Sequence, residues 1–151
     1  TLSHNSYSML IGEYHHTLDD KGRVSIPVKF RAVCSTGAML TRGLDHSLVL
    51  FPGDAWSVFV QELRALPWHQ PETRALVRLF LAGAAEVELD ASGRVRVPEH
   101  LRTYASLTRD LVLLGLGDRL ELWDESRWAA SLQEAETHAD TIASALSRHS
   151  V

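Results

Sequence analysis

Polar and apolar positions alternate through residues 23–26, Arg-Val-Ser-Ile, which predicts a short strand with one wet face. A mostly apolar run over 9–13 continues through 14–18 as a preceding strand. Between them Asp19, Asp20, Lys21 and Gly22 form a turn, because Asp accepts downstream backbone N–H groups and Gly supplies a positive φ. Pro27 opens a short helix with Phe30 and Val33 inward, ending near Gly37. Strands over 39–42 and 47–51 flank the turn Gly43-Leu44-Asp45-His46. Asp54 is placed to cap a helix whose apolar stripe is Trp56, Phe59, Val60 and Leu63, and Pro67 stops it. Residues 72–81 predict another helix, with Leu76, Leu79 and Phe80 on its apolar side and Gly83 at its end. Strands follow at 85–89, 94–97, 111–114 and 119–123, with turns at 90–93 and 115–118, a short helix after Pro98, and a helix from Asp124 carrying Trp128 and Leu132. Beyond Glu136 the chain is weakly amphipathic and rich in Ser and Ala, a frayed helix or a disordered tail.

This order of elements occurs twice. LDDKGRVSIPVKFR (18–31) lies on LDASGRVRVPEHLR (89–102), and GLDHSLVLF (43–51) on GLGDRLELW (115–123). Trp56 lies on Trp128 in the same register. An internal repeat of this length makes the chain a pair of similar half-units. We divide it into a first half-unit (9–66), a linker and helix (67–84) and a second half-unit (85–136). A small strand-rich half has open edges and cannot bury its apolar face alone, so the halves are expected to pack into one barrel of hairpins. The fold class is mainly β with short helices. Phe51 with Trp123, and Trp56 with Trp128, are expected in the core or between halves, while unpaired Trp68 is a candidate subunit contact.

Composition fits a globular domain: 151 residues, 45% hydrophobic and 23% charged. One cysteine, Cys34, excludes an intrachain disulfide and suits a reducing cytosol. No apolar run reaches membrane-spanning length and no signal-peptide pattern opens the chain. Residues 1–8 read as an expression scar or an alternative upstream start. The net charge of −4 argues against indiscriminate nucleic-acid binding. Residues 1–66 carry six basic and six acidic side chains, and 67–151 carry nine and thirteen, so the negative charge belongs to the second half.

No nucleophile elbow, H-E-x-x-H, C-x-x-C or P-loop is present, so no enzymatic chemistry is expected. No cofactor site is expected either, since the turns at Gly22 and Gly93 are too short to cradle a dinucleotide. Nor is a metal site: His15 and His16 are adjacent on a strand and face opposite ways, and His46 has no evident partner. The central pattern is the repeated D-x-x-x-R, Asp19 to Arg23 and Asp90 to Arg94. Structurally, Asp organises the turn, Gly22 or Gly93 permits it, and the Arg pairs back. Functionally, an exposed copy would offer its Arg to phosphates or base edges. Lys21, Arg23, Lys29 and Arg31, with His15 and His16 on the preceding strand, surround the first copy. Glu86, Glu88 and Glu99 offset Arg94, Arg96 and Arg102 around the second. Polyanion binding is therefore expected of the first copy, and a turn-forming role of Asp90, Gly93 and Arg94.

The run MLIGEYHHTLDDKGRVSIPVKFR (9–31), with LTRGLDHSLVLFP, the stretch 76–81, the second D-x-x-x-R and GLGDRLELW followed by Trp128, resembles the MraZ family of bacterial transcriptional regulators. The resemblance covers 9 to about 134, and departs from it at the extended start and the alanine-rich segment SRWAASLQEAE. It implies a fold like the swapped-hairpin (double-split) barrel of AbrB and MazE, here made within one chain. It also implies a closed ring of subunits, cytoplasmic and nucleoid-associated. Its partner would be double-stranded DNA, with repression through repeated boxes upstream of the protein's own division and cell-wall operon. The implied DNA contacts are Asp19, Arg23 and Lys21, with His15, Lys29 and Arg31 as weaker carry-overs. The competing reading is an antitoxin-like protein-interaction module.

Overall fold

A computed structural model describes residues 10–147; the reading of residues 1–8 lies outside them. Strands β1 (Leu10–Thr17) and β2 (Arg23–Ser25) are followed by a single 3-10 turn over Val28–Phe30. Strands β3 (Ala38–Arg42) and β4 (Leu48–Pro52) and helices α1 (Ala55–Arg64) and α2 (Pro71–Ala82) come next. The second unit comprises β5 (Ala85–Val87), β6 (Arg94–Arg96), α3 (Glu99–Tyr104), β7 (Asp110–Gly117), β8 (Leu120–Asp124) and α4 (Glu125–Thr137). A last helix, α5 (Ala139–Ser147), occupies the stretch expected to fray, and its residues are exposed throughout.

The halves exchange strands. A six-stranded antiparallel sheet runs β1-β7-β8-β4-β3-β5, and β2 pairs with β6 in a separate two-stranded ribbon. Only β3–β4 and β7–β8 are hairpins within a half; β1 pairs with β7, β5 with β3, β2 with β6 and β8 with β4. The large sheet is open, with β1 and β5 at its edges, so the expected closed barrel is replaced by an open sheet and a ribbon. The reason lies in the short β2 and β6, three residues each, which pair only with one another.

One continuous core follows from this exchange. Val24, Ile26, Phe30, Leu40, Leu48 and Leu50 of the first half meet Val95, Val97, Leu101, Leu111, Leu113, Leu120 and Leu122 of the second. Cys34 is buried among them, and desolvation raises its thiol pKa to about 11, which leaves it unreactive at neutral pH. Each half then covers the outer face of its own hairpin. Phe51 and Trp56 meet at 5.6 Å and 63°, and Trp123 and Trp128 meet at the same distance and angle. The equivalent aromatics thus seat α1 and α4 on β4 and β8, and Arg119 of the second half stands over the Phe51 ring at 4.9 Å.

One local expectation needs correction. Asp54 precedes α1 in a helical conformation and its side chain caps nothing, whereas Asp124 accepts from the Arg127 N–H at 3.1 Å and caps α4. The turn after β3 is tight enough to force Asp45 and His46 to φ 61° and 57°. Trp68 is exposed beside a groove formed by Leu63, Leu66, Val77 and Leu81 between α1 and α2.

Candidate nucleic-acid interface

Each D-x-x-x-R segment closes on its aspartate. Asp19 Oδ1 accepts from the N–H groups of Lys21 and Arg23, both at 2.9 Å, and Oδ2 accepts from Arg23 Nε at 2.8 Å. The Asp19 N–H donates to the Arg23 carbonyl and the Gly22 N–H to the Asp19 carbonyl. The second turn repeats the set: Asp90 Oδ1 accepts from Ser92 and Arg94 N–H at 2.9 Å, and Oδ2 from Arg94 Nε at 3.1 Å. Gly22 and Gly93 take φ of 76° and 79°, as turns of this tightness require. The N–H of Arg23 foremost, with its guanidinium, holds the Asp19 carboxyl below its ordinary pKa. The N–H of Arg94, then that of Ser92, does the same for Asp90.

The two turns grip each other. Ile26 N–H donates to the Gly93 carbonyl and Val97 N–H to the Gly22 carbonyl. Arg102 lies over Gly22, and its repeat equivalent Arg31 lies over Gly93. Arg31 also donates through Nε to the Ile26 carbonyl at 2.8 Å, while the buried Nε of Arg102 has no hydrogen-bond partner among the described residues.

Between the turns runs the ribbon, in the register Arg23↔Arg96, Val24↔Val95, Ser25↔Arg94. Alternation buries Val24 and Val95 and turns Arg23, Ser25, Arg94 and Arg96 to the other face. Arg94 also reaches Asp19 Oδ2 at 3.5 Å, across the halves. Side-chain exposure is 29% for Arg23 and 31% for Arg94, so the two motif arginines are equally presented. A charge division between the two copies was expected; the structure brings both turns onto one ribbon.

The other candidates have different surroundings. Lys21 is exposed in the first turn. The Lys29 ammonium stands over the rings of Tyr14 and Phe30, at 5.2 and 5.8 Å. Arg31 is directed into the fold, as described. His15 is held between Glu13 (2.9 Å) and Glu125 (3.3 Å), and hydrogen bonds to Glu125 first and Glu13 second raise its pKa. Its neighbour His16 is lowered, mainly by burial and then by Arg31. Among the described residues no group of three His, Cys, Asp or Glu side chains is placed to share a metal ion. No described helix is long and apolar enough to cross a membrane.

Sequence reasoning counted Arg96 only among the charges of the second copy. Its period-two spacing from Arg94 was the available signal, but its place opposite Arg23 follows from the exchange of strands. A row of guanidiniums on a two-stranded antiparallel ribbon has the width and donor chemistry to enter a DNA major groove and meet phosphates or purine edges.

The family description of MraZ proteins, which also likens them to antitoxins, matches residues 9–79 and again 80–148. A protein from Desulfitobacterium hafniense named transcriptional regulator MraZ is 47% identical over 137 residues, covering 91% of this chain and 94% of that protein. Proteins of the same name from Carboxydothermus hydrogenoformans and Halothermothrix orenii are 45% and 43% identical, covering 89% and 91% of this chain and 94% and 96% of their own.

Proposed function

The chain belongs to the MraZ family, and we propose that it is a sequence-specific DNA-binding regulator of transcription that lays the β2–β6 ribbon on double-stranded DNA. The observation that carries the reading is the outward row of Arg23, Arg94 and Arg96, contributed by both halves to one ribbon face. The relatives' shared name supports the regulatory role. Arg23 and Lys21 meet phosphates or base edges, with Arg94 beside them, while Asp19, Gly22, Asp90 and Gly93 hold the turns. Lys29 flanks the face and reaches phosphates more weakly. His15 and Arg31 act from behind it, through their contacts with Glu125 and Ile26. The chain is a binding protein and not an enzyme, working in the cytoplasm on the nucleoid.

The finer reading is a repressor of its own division and cell-wall operon that binds repeated promoter boxes as a closed ring. Exchange of β1, β2, β5 and β6 between halves supports a single-chain version of the swapped-hairpin arrangement of AbrB-like domains. One protomer presents few cations on a chain of net charge −4, too few for tight binding at physiological salt. Several protomers on repeated boxes raise avidity without new contacts, and ring closure stops open-ended growth.

An antitoxin-like role draws on one feature, the exposed Ile142 and Leu146 of α5, which suit a protein partner. An electrophoretic shift with the DNA upstream of the protein's own gene, at two salt concentrations, separates the readings. Specific binding that weakens with salt, by a species several times 16.8 kDa in light scattering, is the result expected. No binding at low salt together with a co-purifying protein contradicts the regulator reading.

A further inference from the structure

The ribbon keeps the repeat at one outward position and breaks it at the other. Arg23 and Arg94 are repeat equivalents, each bonded to the aspartate of its own turn. Ser25 and Arg96 are equivalents too, but one offers a hydroxyl and the other a guanidinium. The register sets Arg96 directly opposite Arg23. Like charges so opposed destabilise a ladder. Asp19 offsets the charge of Arg23, but among the described residues nothing lies within hydrogen-bonding or ion-pairing reach of the exposed Arg96 guanidinium. Glu86, Glu88 and Glu99 line the cleft beside it without approaching to ion-pair distance.

A fully symmetric ribbon could lie on a duplex in either direction, because the duplex backbone has its own local two-fold axes. An arginine at one end only removes that equivalence. Guanidinium bonded bidentately to guanine O6 and N7 is the commonest base-reading contact, and a serine cannot replace it. We infer that Arg96 is a further DNA-reading residue, and that the Ser25/Arg96 difference sets the direction in which the ribbon lies on each box. This rests on the DNA-binding reading above. A row of boxes is then engaged by protomers that all face one way.

The test uses the full chain and a fluorescent duplex carrying the repeated boxes from upstream of the protein's own gene. Two further duplexes have every box substituted on one side or on the other, and melting curves confirm that the variants are folded. Wild type is expected to lose affinity from substitution on the side that Arg96 faces. Arg96→Ser binds the unaltered duplex about tenfold more weakly, the scale of one bidentate contact, and no longer senses that side. The exchange variant Ser25→Arg/Arg96→Ser recovers affinity and keeps the sensitivity on the wild-type side, because the ribbon reverses and brings its arginine back to the same base. Specific wild-type binding with an unaffected Arg96→Ser, or an exchange variant that stays as weak as Arg96→Ser or moves its sensitivity to the opposite side, overturns the inference and leaves the DNA-binding reading standing. A wild type that prefers no box over scrambled duplex overturns both.

Discussion

Gly22 and Gly93 show how little room single residues have in this fold. A Cβ on Gly22 would meet the Arg102 guanidinium carbon at 3.0 Å, and one on Gly93 would collide with Arg31. Both glycines also hold a positive φ that a β-branched residue resists. Gly22→Val and Gly93→Val are each expected to lower unfolding free energy by about 1–3 kcal/mol through strain, read from urea unfolding. Gly53 is the control, because it has a positive φ of 53° but no atom within 4 Å of a Cβ, and Gly53→Val costs less. The aspartates add a pH dependence. Asp19 and Asp90 are held below the ordinary value of 3.8, first by the N–H groups of Arg23 and Arg94. A carboxyl so held contributes stability that is present above the ordinary value and lost as pH falls through the depressed one. Asp19→Asn/Asp90→Asn therefore melts below wild type at neutral pH, and the gap narrows as the pH is taken below 3.8. A gap that stays constant through acid would show that the carboxylate charge is not what secures the turns.

At the level of elements, the exchange of strands makes each half depend on the other. β2 has no partner but β6, and β5 none but β3. Residues 1–66 and 67–151, produced separately, are each expected to lack a cooperative melt, and mixing them restores one, as followed by circular dichroism. A cooperative transition in either fragment alone contradicts the interleaved core. These elements were largely legible in the sequence, because alternation at 23–26 and 94–97 and the stripe Trp56, Phe59, Leu63 are local signals. The pairing was not legible. Two similar strands can pair within a half or across halves with the same burial of Val24 and Val95, and only the assembled core decides. The Asp54 cap failed for a related reason. Its backbone already adopts helical angles, so the side chain cannot turn back over the first N–H groups, a detail no spacing records. The site was half legible: the D-x-x-x-R turns were visible, but the placing of Arg23 and Arg94 on one ribbon face follows from a pairing that no spacing records.

At the scale of the whole molecule, the proposed function sets an acidic chain against a polyanionic partner. Its net charge of −4 keeps non-specific attraction low, while the ribbon collects cations from two halves into one face. The proposed function makes specificity depend on that face and not on bulk charge. The most direct measurement is the affinity of the full chain for a duplex bearing the boxes and for a scrambled duplex, each at two salt concentrations, with wild type and the folded Arg23→Ala/Arg94→Ala variant. We expect wild type to prefer the boxes, to weaken as salt rises, and to lose preference by about 1–3 kcal/mol for each arginine that reads a base edge. A variant of unchanged melting behaviour that keeps the wild-type preference and salt dependence would contradict the claim that the β2–β6 ribbon is the DNA-reading face.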